Sequence, residues 1–157
     1  IEYSDFQCPA CKYWQVPVKK IVAEFSNHIR FIYRHYPLRT KHENAQLAAQ
    51  AAEAAGLQGK FWEMHDQLFD EQESWSTKYT DQAEEAFVAY AKELGLDMEK
   101  FKEDLNSSAV RAAINNDVSS GDDANVNSTP SFFLNGVKIN PGDDENFRKL
   151  IREAIQP

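Results

Sequence analysis

Glu2-Tyr3-Ser4-Asp5-Phe6-Gln7-Cys8-Pro9-Ala10-Cys11 is a short, partly alternating run that ends in two cysteines three positions apart. The run reads as a strand. The next stretch, Lys12 to Phe25, places Trp14, Val18, Ile21, Val22 and Phe25 at spacings of three or four, one helical face. Cys8 therefore falls where a strand hands over to a helix, and Pro9 takes the first helical position, where a missing N–H costs nothing. Pro17 lies inside this helix and is expected to kink it. At a helix start, free N–H groups and the positive end of the helix dipole favour thiolate over thiol. Cys8 is thus the expected attacking sulfur. Cys11, one turn on and deeper, is expected to resolve a mixed disulfide formed at Cys8. The small Pro9-Ala10 dipeptide leaves Cys8 accessible.

The rest of the composition narrows the alternatives. The 157 residues predict one domain with a sizeable insertion. Net charge is −8, which argues against nucleic acid and anionic membranes as partners, and no apolar run is long enough to span a bilayer. Residues 1–42 carry a net +4, so chemistry placed there sits in a locally less negative field. Cys8 and Cys11 are the only cysteines, too few for a disulfide framework. A zinc site would need distant histidines, because His28, His35, His42 and His65 lie 7, 7 and 23 residues apart. A redox-active dithiol, needing neither metal nor organic cofactor, is the reading that context supports. The non-enzymatic alternatives are a peptide-binding, chaperone-like module and a Cys/His metal site.

A second signal lies downstream. Thr129-Pro130 is followed by Ser131-Phe132-Phe133-Leu134, then Asn135-Gly136, then Val137-Lys138-Ile139. Asn-Gly between apolar runs predicts a tight hairpin, with Pro130 at the start of its first strand. On base rates alone the Thr129–Pro130 bond would be trans.

With both signals in view, the chain resembles the DsbA-like thiol-disulfide oxidoreductases of the thioredoxin superfamily. Residues 2–11 look like that family's active-site strand and helix start, Phe31-Ile32-Tyr33-Arg34-His35-Tyr36-Pro37-Leu38 like its second core strand, and residues 129–136 like its proline loop and hairpin. The resemblance implies an α/β thioredoxin fold with an inserted all-helical subdomain, residues 1–40 and 125–157 forming the thioredoxin-like part and 41–124 the insertion. It implies that Thr129–Pro130 is cis, packs beside the cysteines and, with Pro9 and Ala10, meets the substrate backbone as an added strand. It also implies that Glu2 is the family's buried acid, with a raised pKa and a proton for Cys11. The activity implied is disulfide exchange with thiol- or disulfide-bearing proteins, most readily their oxidation, outside the cytoplasm in the periplasm or cell envelope. A separate redox protein would regenerate the cysteines. Reduction or isomerisation is the alternative direction. Two departures stand out. The family's mature members usually carry more residues before this strand, so a leading segment is expected. Pro-Ala replaces the Pro-His of the best-known oxidase branch, which predicts a less strongly oxidising site.

Between the two signals the sequence predicts helices over 44–55, capped by Gly56, over 60–68, over 80–94, over 97–105 and over 107–119, with a turn over 71–78. Residues 119–123 are the expected hinge out of an insertion that needs a core of its own. A last helix is expected over 143–155, buried through Phe147, Leu150, Ile151 and Ala154. Most aromatics are expected in the core, with Phe6, Tyr13 and Trp14 the candidates for surface beside Cys8. His35 is expected to be structural.

Overall fold

In the computed structural model, which describes residues 1–156, the elements run β1 (Glu2–Ser4), α1 (Pro9–Glu24), β2 (Tyr33–His35), α2 (Ala45–Gly56), α3 (Phe61–Asp70), α4 (Gln72–Trp75), α5 (Thr80–Glu93), α6 (Met98–Leu105), α7 (Ser108–Asp123), β3 (Ser131–Leu134), β4 (Val137–Ile139) and α8 (Asp144–Ile155). The strands form one mixed sheet in the order β2-β1-β3-β4. β1 pairs in parallel with β2 across the α1 crossover and antiparallel with β3, and β3 turns tightly into β4. Asn135 and Gly136 make that turn with φ of 49° and 82°, the left-handed values that a two-residue hairpin of this hand requires. This is a thioredoxin-like fold with a helical insertion between β2 and β3.

Strand alternation decides what each face of the sheet meets. Phe132 stands opposite Glu2 and faces α1 and α8. There Val18, Ile21, Phe25, Phe132, Phe147 and Ile151 form one apolar cluster, edged by Trp14. Ala154, expected in that stripe, is exposed, and Ile155 packs in its place. The other face carries Tyr3, Tyr36 and Phe133, packed edge to face. α7 covers β2 on this side, and its Asp117 accepts the His35 N–H at 3.0 Å, an edge-strand donor that β1 leaves free.

The main core of the insertion is continuous with that of the sheet, beside a small cluster of Ala49, Val110 and Ile114 of its own. One buried cluster runs from Phe6, Tyr33, Cys8 and Cys11 through Leu47, Met64, Leu68, Phe69 and Trp75 to Phe87, Phe101 and Leu105. α2 makes this continuity possible. Its seven buried alanines let α3, α5, α6 and α7 approach it closely on several sides, so the helix is buried nearly all round rather than along one stripe. Trp75, in the segment expected to be a polar turn, is fully buried in α4, and its Nε1 donates to the Leu68 carbonyl at 2.9 Å.

Caps are where local sequence and structure agree best. Asp97, Ser107 and Asp143 each accept N–H groups of their own first turn. Thr80 does not cap α5; it is the first helical residue, after Tyr79. Gly56 ends α2 without left-handed backbone, and the turn falls to Gly59, at φ 77°. The hinge expected over 119–123 is instead the last turn and a half of α7. Gly121 serves close approach there: a Cβ on it would lie 2.7 Å from the Tyr36 ring and 3.1 Å from Tyr3. Replacing a helical glycine by alanine ordinarily stabilises by about 1 kcal/mol. Here Gly121→Ala is expected to destabilise by about 1–3 kcal/mol through overpacking, read by urea unfolding. A gain in stability would show that the Tyr36 contact is dispensable.

Candidate active site

The strand-to-helix handover places Cys8 as the residue that caps α1, in extended backbone, with Pro9 as the first helical residue. Helix α1 continues through Pro17 to Glu24 as one element. Cys8 is not the open sulfur that the small Pro9-Ala10 dipeptide led one to expect: it is only 7% exposed, and Cys11, fully buried, sits one turn behind it. Both thiols are free.

The two sulfurs are held in opposite chemical states. Cys8 is brought down from 9.0 to about 5, chiefly because the Cys11 thiol donates a hydrogen bond to its sulfur; the Thr129 hydroxyl and the N–H groups of Cys11 and Ala10 add to this, against a cost of burial. Cys11 is pushed up by burial and by the charge developing on Cys8. The proline loop contributes directly. Thr129–Pro130 is cis. When protonated, Cys8 donates to the Thr129 carbonyl at 3.5 Å. The Thr129 hydroxyl is buried and makes no hydrogen bond within ordinary distance.

Glu2 lies beneath the pair. It is 4% exposed, and burial raises its carboxyl from 4.5 to about 7, with the Ser4 hydroxyl pulling the other way. Its charge in turn helps hold Cys11 protonated.

The loop before Cys8 is fastened by groups the sequence did not single out. Gln72 Nε2, from α4, donates to the Phe6 and Cys8 carbonyls at 2.7 and 3.0 Å. Gln7 donates to the Ser76 carbonyl and accepts from the Asn44 N–H, at 2.7 and 2.8 Å. The buried Asp5 carboxylate takes the N–H groups of Gln7 and Leu38 and pairs with His42 Nδ1. Only the polar character of Asp5 and Gln7 beside a cysteine pair hinted at this. The partners outside this loop lie 33 to 69 residues away.

Of the residues expected near the site, Phe6 is core, stacked on Tyr33. Tyr13 is 71% exposed, two positions after Cys11. Trp14 lines a groove of about 340 Å3 with Ser128, Pro130, Phe132, Lys138 and Ile139. His35 is structural: Nε2 meets Glu53 at 2.9 Å and the ring packs against Phe6 and Tyr33. Among the described residues no three His, Cys, Asp or Glu side chains converge as a metal-ligand set.

The chain belongs to the thioredoxin family, whose pattern it matches over residues 1–153. Its fold is that of DsbA-type thiol-disulfide oxidoreductases. It superposes on a thioredoxin-like oxidoreductase from Silicibacter pomeroyi at a TM-score of 0.80 and 27% identity, covering 98% of this chain and 83% of that one. With oxidised BdbD of Bacillus subtilis the TM-score is 0.84 at 23% identity, covering 99% and 86%. A curated relative, the Na+/H+ antiporter NhaA 1 of Salinispora arenicola, is 42% identical over 136 residues, which is 87% of this chain. This chain spans only 20% of that antiporter's length. Among the described residues no helix is long and apolar enough to cross a membrane.

These titrations set two pH dependences of opposite sign. Alkylation of Cys8 is expected to rise with pH to a plateau with its midpoint at about 5, and Cys11→Ala to move that midpoint up, since the Cys11 thiol is the largest cause of the shift. Rate measurements against pH with iodoacetamide check this; a midpoint near 9 in the unsubstituted protein would refute the arrangement. Glu2 acts in the other direction. The folded chain keeps a proton that the unfolded chain loses above 4.5, so Glu2 makes stability fall as pH rises from 4.5 through about 7. Glu2→Gln should raise stability above that window by on the order of 3 kcal/mol and leave it unchanged at pH 4 or below, by denaturant unfolding at a series of pH values.

Proposed function

We propose that the protein is a thiol-disulfide oxidoreductase that exchanges disulfides with protein substrates through Cys8 and Cys11, and that it acts mainly as an oxidase outside the cytoplasm. The observation that carries this is the contrast between the two sulfurs: Cys8, nearer the surface at 7% exposure, is lowered to about 5, and Cys11, fully buried, is raised.

In the oxidised protein a substrate thiolate attacks Cys8. The substrate–Cys8 bond forms, the Cys8–Cys11 bond breaks, and Cys11 leaves with the electron pair and takes a proton, for which the buried Glu2 carboxyl is the candidate donor. A second substrate thiolate then attacks the substrate sulfur of the mixed disulfide. The substrate disulfide forms and Cys8 leaves as a stabilised thiolate. Two electrons pass from substrate to the cysteine pair, and neither metal nor organic cofactor is needed. Return to the disulfide requires a second redox protein that accepts those electrons.

Direction depends on the thiolate. Whatever stabilises Cys8 as an anion stabilises the reduced protein, and so makes its disulfide the better oxidant. An oxidase of this kind belongs in an oxidising compartment. Reduction or isomerisation is the second reading, favoured by the absence of a cationic residue between the cysteines. Substrate backbone is expected to lie along residues 128–130, beside Pro9 and Ala10, with an apolar side chain in the groove beside Trp14 and Pro130.

A redox titration of the cysteine pair against glutathione tests the direction. A potential well above thioredoxin's, about −270 mV, is expected, and one near it would overturn the oxidase reading. Cys8→Ser should abolish oxidation of a reduced peptide dithiol, whereas Cys11→Ser should trap the mixed disulfide, seen by mass spectrometry. Equal, slow reaction of both thiols would refute catalysis altogether.

A further inference from the structure

One side chain of the insertion holds the peptide groups on both sides of Gln7. Gln72 opens α4 and is buried. Its Nε2 donates to the Phe6 carbonyl at 2.7 Å and to the Cys8 carbonyl at 3.0 Å. An amide nitrogen carries two hydrogens, so a single atom serves both acceptors without bringing a charge.

This amide works from a fixed base. Trp75, three residues on, is fully buried, and its Nε1 donates to the Leu68 carbonyl. Ser76, just past α4, accepts from Gln7 Nε2 at 2.7 Å, while Gln7 Oε1 accepts from the Asn44 N–H at 2.8 Å.

The Cys8 carbonyl bears on the chemistry through the backbone it shares with the sulfur. Cys8 caps α1 with ψ of 122°. Rotation about that bond swings the carbonyl and the start of α1 together, and so decides whether the N–H groups of Ala10 and Cys11 face the sulfur, as they do for a capping side chain. Pro9 has no N–H, so the Cys8–Pro9 peptide is held through its carbonyl alone. Two donors reach that carbonyl, the Lys12 N–H at 3.1 Å and Gln72. The first belongs to α1 and moves with it. Gln72 ties the carbonyl to a different element, and its other hydrogen ties the end of the preceding loop to the same point. Both carbonyl oxygens also carry partial negative charge in the loop that bears the sulfur, and the amide hydrogens offset it.

Resting on the proposed exchange activity, we infer that Gln72 is a positioning residue for that activity: by clamping the Phe6 and Cys8 carbonyls it keeps the first N–H groups of α1 on the Cys8 sulfur, so that the helical insertion takes part in setting how readily Cys8 departs as a thiolate. Departure of Cys8 closes the substrate disulfide, and a better-held anion is a better leaving group.

The titratable and charged groups packed about this loop are Glu2 and Cys11 behind Cys8, the buried Asp5 with His42, Lys12 with Glu73 of α4, and the exposed Glu71. Exchanging the neutral amide at position 72 for a neutral thioether leaves all of them in place, so a change in the titration of Cys8 reads the lost clamp.

Gln72→Met keeps the length of the side chain and removes both donors. In this variant the midpoint of Cys8 alkylation should rise by about one pH unit, and the equilibrium constant for oxidation of glutathione by the protein should fall about 10-fold, a loss of about 30 mV. A residue that only supports the fold would lower the urea midpoint and leave both readings where they are; that outcome overturns the inference. The unsubstituted protein supplies a second reading that needs no variant. By NMR, both Gln72 side-chain amide protons should exchange slowly with solvent and should titrate with the Cys8 midpoint, and fast exchange or the lack of a titration overturns the clamp. Should the protein exchange no disulfides, the oxidoreductase reading fails by itself, while the alkylation midpoint and the amide titration still decide the role of Gln72.

Discussion

The coupling between the two sulfurs, which favours the thiolate at Cys8 and keeps Cys11 protonated, is the interaction on which the site depends. It asks for two sulfurs at one helix start in opposite protonation states. Burial of Cys11 against the sheet prevents it from ionising first, and the start of α1, with its free N–H groups, lets Cys8 do so. The sheet places Glu2 below and the proline loop in front. Much of the architecture near residue 8 serves to keep these four pieces in register.

The helical insertion takes part in that task. Gln72 holds the carbonyls of Phe6 and Cys8, and Gln7 and Asp5 reach residues of the segment that leads into α2 and out of α4. A loop with free carbonyls beside a thiolate would be mobile and electrostatically unfavourable. Capture of both carbonyls by one buried amide removes the two problems together. The apolar cluster shared by Phe6, Cys11 and the α2–α6 helices makes the same connection in hydrocarbon. Motion of the insertion relative to the sheet would therefore be felt at Cys8.

Where sequence reading succeeded, the signal was local. The caps at Asp97, Ser107 and Asp143 lie within three residues of the N–H groups they satisfy. Asn135-Gly136 supplies its own left-handed backbone. Where it failed, the deciding partner was remote. Gly121 looked like a hinge until Tyr36 and Tyr3 were brought against it. Trp75 sat in a polar stretch that sequence alone read as a turn, and a core built from four other helices buried it.

The hairpin of β3 and β4, the start of α1 at a cysteine and the spacing that stacks Cys11 behind Cys8 were set by residues within a helical turn or a hairpin of one another, so the sequence by itself determined them. The depth of Cys11, the burial of Glu2, the placing of Thr129 against a sulfur 121 positions away and the clamp from Gln72 were decided only by the tertiary structure. The physical reason is that pKa depends on desolvation and on neighbouring dipoles. Both are properties of the assembled surroundings and of no short stretch of chain.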